Sequence, residues 1–343
     1  LDNESASELT RFKTPWLVSS IDWIDSMKRR AIVWLCETTG KSILKLTDED
    51  YNKNGLSDLL ALEGSSYDLN INMFNHFQNT ITGWPGGKPD ADDSTRPERK
   101  SPKSKRVIIF SPHPDDDVVS MGGTFDRLVS QGHEVHIAYQ VKGNIAVSDH
   151  DALKFIEVSK DMFKNNSKVP VSELIKELKN NKPDKIDSQA VRDLKGFIRK
   201  REAIAATRYI GIPDSNTHFM NLPFYDTGRI KKNPPTKKDV LITASLIKKI
   251  KPHQIFAAGD LEDPHGTHKV CLDIILEALN SLKGENFIKD CWLWLYRGAW
   301  LDWEIHDIDM AVPMSPAQVL RKRKAIFFHQ TQKDGVMFQG QDL

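Results

Sequence analysis

Arg106-Val-Ile-Ile-Phe-Ser-Pro-His-Pro-Asp-Asp-Asp117 is the stretch on which the architecture turns. Its first half, Arg106 to Phe110, is a short apolar, β-branched run bounded by polar residues, the pattern of a buried strand in a parallel sheet. The second half places His113 and the carboxylates Asp115, Asp116 and Asp117 within five positions. Pro112 and Pro114 stiffen that loop and deny it a helix. In an open α/β sheet, ligands bind outside the carboxyl ends of the strands, where loops present side chains. Three carboxylates crowded at such a rim repel one another, and a divalent cation removes the penalty. The competing reading is structural, with the aspartates favouring the start of the following helix.

Working outward, residues 118–131 carry apolar positions at helical spacing and stop at Gly132. Glu134 to Val141 reads as the next strand. Strand, helix and strand in so short a span make a βαβ unit and a parallel sheet. Further strands are expected at 218–222, 253–258 and 291–296, and the charged region 150–210 reads as a helical excursion over the sheet edge. The expected fold class is therefore α/β, a Rossmann-like, mostly parallel sheet flanked by helices.

Toward the N-terminus, residues 10–40 and 69–80 suit amphipathic helices. Residues 83–105, rich in Pro, Gly and charge, read as a linker, so 1–82 becomes a small helical appendage and 106–343 the main domain. The basic run KSPKSKR reads as part of a solvated linker and not as a phosphate-binding patch.

A second motif, Asp263-Pro-His-Gly-Thr-His268, follows the predicted strand at 253–258 and so falls at the same rim. Alone, two histidines three apart are weak evidence. Two such motifs, each just past a buried strand, point to an active site assembled from His113, Asp115, Asp116, His265 and His268. A His/Asp/His set with open positions is a catalytic type of metal site, since structural zinc sites are closed by four protein ligands. Zinc (Zn2+) is the first expectation, and Fe2+ suits the same donors.

Other features carry less. Gly122-Gly123 lacks a phosphate-binding motif and reads as close helix–sheet packing. His150, His218, His253 and His306 lack ligand-like neighbours. Trp292 and Trp294 alternate onto one strand face and, with Trp300 and Trp303, read as core packing before a sugar pocket.

Composition bounds the rest. The chain has 343 residues, 39% hydrophobic and 28% charged, which is globular and not disordered. A net charge of +1 supplies no global field for nucleic acid or an anionic membrane. No apolar run approaches the roughly 18 residues of a membrane span. The three cysteines, Cys36, Cys271 and Cys291, make no disulfide framework and suit a reducing compartment, so a cytoplasmic location is expected. The polar start LDNESASELTR is not a signal peptide and reads as part of something longer.

With these residues in view, 106–332 resembles the LmbE-like, or PIG-L, family of metal-dependent N-acetylglucosaminyl deacetylases. The resemblance rests on His113-Pro114-Asp115-Asp116 and His265-Gly266-Thr267-His268, together with Arg201-Glu202 leading to Ile210-Gly211 and the stretch Lys324 to Gln332. It implies metal ligation by His113, Asp116 and His268, with Asp115 as general base. It implies that His265 steadies the oxyanion and protonates the amine, and that Arg201 contacts substrate. The substrate would be a small N-acetylated amino sugar. Asp117 departs from the family, which has Glu there, and 145–200 is an insertion. Residues 1–100 resemble the region after a glucosamine-6-phosphate deaminase-like domain in bacterial fusion proteins, a domain not among these residues. Two other readings stand beside the hydrolase: a silent sugar- or sugar-phosphate-binding regulatory module, and a metal-dependent phosphoesterase, for which the motifs supply too few ligands.

Overall fold

The computed structural model describes residues 23–90, 102–162, 171–181, 185–229 and 231–332. Residues 10–22 of the first predicted helical stretch and 91–101 of the predicted linker lie outside them. The chain divides into two units, Leu1–Gly83 with Trp303–Pro313, and Trp84–Asp302 with Met314–Leu343.

The first unit contains α1 (Asp25–Thr39), α2 (Asp48–Lys53), α3 (Ser57–Glu63) and α4 (Ser66–Thr80). Helix α1 stops at Gly40, whose φ of 65° only glycine adopts without strain. Thr47 and Asp50 form a capping box that starts α2. Ile32, Leu35, Tyr51, Leu56, Leu59 and Leu69 share one apolar core. The buried Tyr51 hydroxyl donates to Asn70 Oδ1 at 2.7 Å, and Asn70 Nδ2 donates to Leu46 O at 2.8 Å, so this core buries no unpaired phenol. The returning segment 303–313 belongs here, with Ile81 bridged to Ala311 and Arg29 paired with Asp309 at 2.8 Å.

The second unit contains β1 (Arg106–Ser111), α5 (Asp116–Ser130), β2 (Glu134–Tyr139), α6 (Asp149–Met162), α7 (Val171–Lys179), α8 (Gln189–Ile210), β3 (Thr217–Phe219), α9 (Lys237–Ile250), β4 (Gln254–Ala258), α10 (Thr267–Ser281), β5 (Trp292–Tyr296) and α11 (Pro316–Ile326). The strands form one sheet in the order β3-β2-β1-β4-β5, with every pairing parallel. Side chains of β1 alternate between two cores: Ile108 and Phe110 pack with α9 and α10, while Val107 and Ile109 pack with α5 and α8. Burying each such side chain contributes about 1.5–3 kcal/mol, which explains the continuous apolar run. The predicted α/β class and parallel sheet are what the chain adopts. Helices α2, α3, α9, α10 and α11 add to those expected.

The order of strands matters for the site. The chain moves outward from β1 to β2 and β3, then returns to pair β4 on the other side of β1. Loops leaving β1 and β4 therefore diverge and open a crevice at their carboxyl ends.

Three local expectations need adjustment. A Cβ at Gly123 would fall 1.8 Å from Met314 Sδ, and one at Gly122 2.8 Å from Lys322 Cγ, so these glycines admit Met314 and α11 and not the sheet. Trp292 is 41% exposed and stacks on Trp294 at 6.5 Å; Trp300 is 40% exposed, so neither Trp292 nor Trp300 is core. Within 83–105, Pro85 O accepts from Gln254 Nε2 at 3.1 Å and Gly86 passes under the His133 ring, where a side chain would collide. The region 145–200 is mostly helical where described, and α6, α7 and α8 share a small core around Ile156, Leu174 and Ile198.

Candidate active site

The loop after β1 is held from below by Asp117. Asp117 N donates to Ser111 Oγ at 3.1 Å, and the Tyr139 hydroxyl on β2 donates to Asp117 Oδ2 at 3.0 Å. Burial pushes the Asp117 carboxyl up to about 7, against the opposing hydrogen bond from Tyr139. The shorter acid therefore has a defined supporting place. Above it, Asp115 stands just before α5 and Asp116 in its first turn.

His113, Asp116 and His268 offer donor atoms that all lie within 4.8 Å of one another. Asp116 Oδ2 is 3.4 Å from His113 Nδ1 and 3.3 Å from His268 Nε2. Tetrahedral donors bound at zinc distances sit about 3.3 Å apart, so the spacing suits a single ion with a position left open. The tautomer suits it as well. His268 Nδ1 faces Asp260 O at 2.9 Å and donates there, which turns Nε2 toward the shared space. Asp263 fixes the start of α10 by accepting from Thr267 N at 2.8 Å and His268 N at 3.1 Å. Burial alone would raise Asp116, but the facing imidazoles of His268 and His113 hold it far below the usual carboxylate range. Burial disfavours a charged His268, yet Asp116 and Asp263 push it up to about 9. Asp116 and His268 thus tune each other across the shared space.

Asp260 is a residue the sequence motifs did not mark. It is 1% exposed, and its Oδ2 accepts the backbone N–H groups of Ala299, Trp300 and Leu301 at 3.1, 2.5 and 3.2 Å. Its carboxylate pins the loop after β5 while its carbonyl orients His268. Asp260→Ala should weaken metal binding by about 10–100-fold. Competition against a chelator measures this, and unchanged affinity would deny Asp260 its orienting role.

Asp115 makes a buried ion pair with Arg199 of α8, Oδ1 to Nη2 at 3.0 Å. Arg199 is 1% exposed. Arg201, the arginine singled out from sequence, is exposed; two positions along a helix turn it away from Arg199. Glu202, one turn beyond Arg199, accepts from Thr331 N and Oγ1, both at 2.8 Å, tying the segment after α11 to α8. That segment brings in His329, fully buried and lowered to about 4 by burial. His265 lies in the loop before α10 and is exposed, outside the three-donor cluster.

The sequence pattern of the PIG-L family, GlcNAc-PI de-N-acetylase, matches residues 108–279, which contain every one of these side chains except those of His329 and Thr331. A glucosamine-6-phosphate deaminase-like protein of Bacteroides thetaiotaomicron is 53% identical over 351 residues, a match covering 100% of this chain and 53% of that one. The chain thus spans about half the length of the curated relative it matches. Among solved structures, an N,N'-diacetylchitobiose deacetylase from Pyrococcus horikoshii is 18% identical with a TM-score of 0.41, covering 67% of this chain and 71% of its own. The A40926 pseudoaglycone deacetylase Dbv21 is 17% identical with a TM-score of 0.41, covering 71% and 88%. By the match over 108–279, this chain belongs to the PIG-L family.

Proposed function

We propose that this chain is a divalent-metal-dependent hydrolase that removes the N-acetyl group of a small N-acetylglucosamine-type amino sugar. The observation that carries the reading is the three-donor cluster of His113, Asp116 and His268 with Asp115 beside it. Family membership supports the same reaction class. When bound by those three residues, a divalent ion (zinc before iron) supplies a Lewis acid for the acetamide carbonyl and hydroxide near neutral pH.

The chain's own groups do the proton work. Asp115, oriented by Arg199, takes the proton of the attacking water. His265, exposed in the loop before α10, is the group proposed to hand a proton to the departing amine, which leaves poorly without one. The same side chain is proposed to donate to the developing oxyanion, where a donor is worth most. Arg199 positions Asp115, and Arg201, exposed on the helix surface, is kept as the arginine proposed to contact substrate. Among the described residues, no helix is long and apolar enough to cross a membrane. The three thiols are free, which supports a cytoplasmic setting.

Two measurements test the reading. Protein purified without chelator should carry close to one divalent ion by elemental analysis, and His113→Ala and His268→Ala should each lose most of it. A full complement in either variant sinks the ligand assignment. Acetate should be released from N-acetylglucosamine derivatives only by metal-loaded protein. Sugar binding with no acetate release would make this chain a binding module instead.

A further inference from the structure

We propose that the cavity beside the metal-binding residues holds an anionic group, a phosphate ester or a carboxylate, carried by the amino sugar. The inference rests on the proposed amino-sugar reading and narrows its substrate class.

The cavity measures about 260 Å3 and is lined by Pro114, Lys142, Gly196, Lys200, Phe219 and Asn221, among others. Its walls come from the loop after β1, the ends of β2 and β3, and one face of α8. Pro114 stands between His113 and Asp115 in the chain. A Cβ at Gly143 would lie 2.9 Å from Pro114 Cδ and 3.2 Å from Arg199 Nε. That close packing gives the cavity and the Asp115–Arg199 pair a common wall. A substrate reacting at Asp115 can therefore reach into the cavity with its remaining substituents. The volume falls just below the range of small-molecule sites, suiting a substituent and part of a ring.

The charges select what enters. Lys142 Nζ is held at 3.0 Å from Asp193 and 3.5 Å from Asp226, which fixes an otherwise flexible side chain. Lys200 Nζ lies 4.8 Å over the Phe219 ring, and no carboxylate of the described residues pairs with it. Lys142 is thus matched by Asp193 and Asp226, and Lys200 is left as the lining ammonium with no carboxylate partner among the described residues. An ammonium only donates, so the unpaired one calls for an acceptor, and an anion is the strongest. Asn221, held at φ 49°, turns the chain at the end of β3 and adds an amide to the same wall. Phe197, 64% exposed, stands at the rim where a sugar face can lie.

The test reads binding, not turnover. Zinc-loaded protein is titrated by calorimetry with glucosamine, glucosamine 6-phosphate and muramic acid, the last two presenting phosphate and carboxylate. At least one anionic sugar should bind about 10-fold or more tightly than glucosamine, with the preference shrinking in high salt. Lys200→Gln should abolish the preference and Lys200→Arg retain it, both with wild-type melting temperatures. Equal affinity for all three sugars, no binding of any at millimolar concentration, or a full preference in Lys200→Gln overturns the proposal. Acetate release without a preference for the anion overturns only this inference. A preference without acetate release overturns only the proposed reaction.

Discussion

Asp115→Asn should cut acetate release by about 10²–10⁴-fold while leaving the metal content intact and the protein folded, though less stable for the unpaired Arg199. Asparagine keeps the shape of the side chain and still accepts from Arg199, so the geometry of the loop survives. What disappears is the basic oxygen. Asp115 is not one of the three clustered donors, so elemental analysis of the variant should match wild type. Turnover equal to wild type would remove Asp115 from the mechanism. Loss of metal together with activity would make it a ligand and reassign the cluster.

The second large effect concerns stability. Arg199 and Asp115 form an ion pair in which both side chains are nearly inaccessible, at 1% and 8%. Removing one partner strands a buried charge, which costs about 3–5 kcal/mol. Arg199→Met should therefore lower the melting temperature of the catalytic unit by roughly 10 °C. Arg199→Met combined with Asp115→Asn should recover most of that loss, because no carboxylate is left unpaired. Additive losses in the double variant would show that the pair contributes nothing beyond its two separate side chains.

Much of this site could be read before any coordinates. Both motifs follow buried strands, and a parallel sheet places all such loops at one rim, so His113, Asp116 and His268 were expected to converge. Their union required β1 and β4 to be neighbours, and strand order leaves no mark in local sequence. Arg199 was within reach. In Arg199-Lys-Arg-Glu202 the adjacent pair Arg201-Glu202 attracts the eye, but residues three apart share a helix face and adjacent ones do not. Asp260 could not be found this way, because a lone aspartate after a strand resembles any loop residue. The grouping of Trp303–Pro313 with the first unit was likewise hidden, since that segment carries no periodic pattern.

The pairing of β1 with β4 has a consequence for how the chain acquires its metal. Arg106 N donates to His253 Nδ1 across 147 positions, at the edge where the two strands join. Closing so long a loop costs about 4 kcal/mol of chain entropy and belongs to slow, non-local folding. During synthesis, the acidic loop after β1 emerges long before α10 delivers His268. For that interval His113 and Asp116 wait without their third donor. A metal held by the proposed ligands would then be captured at the close of folding and not at its nucleus, as a latch on a sheet already built.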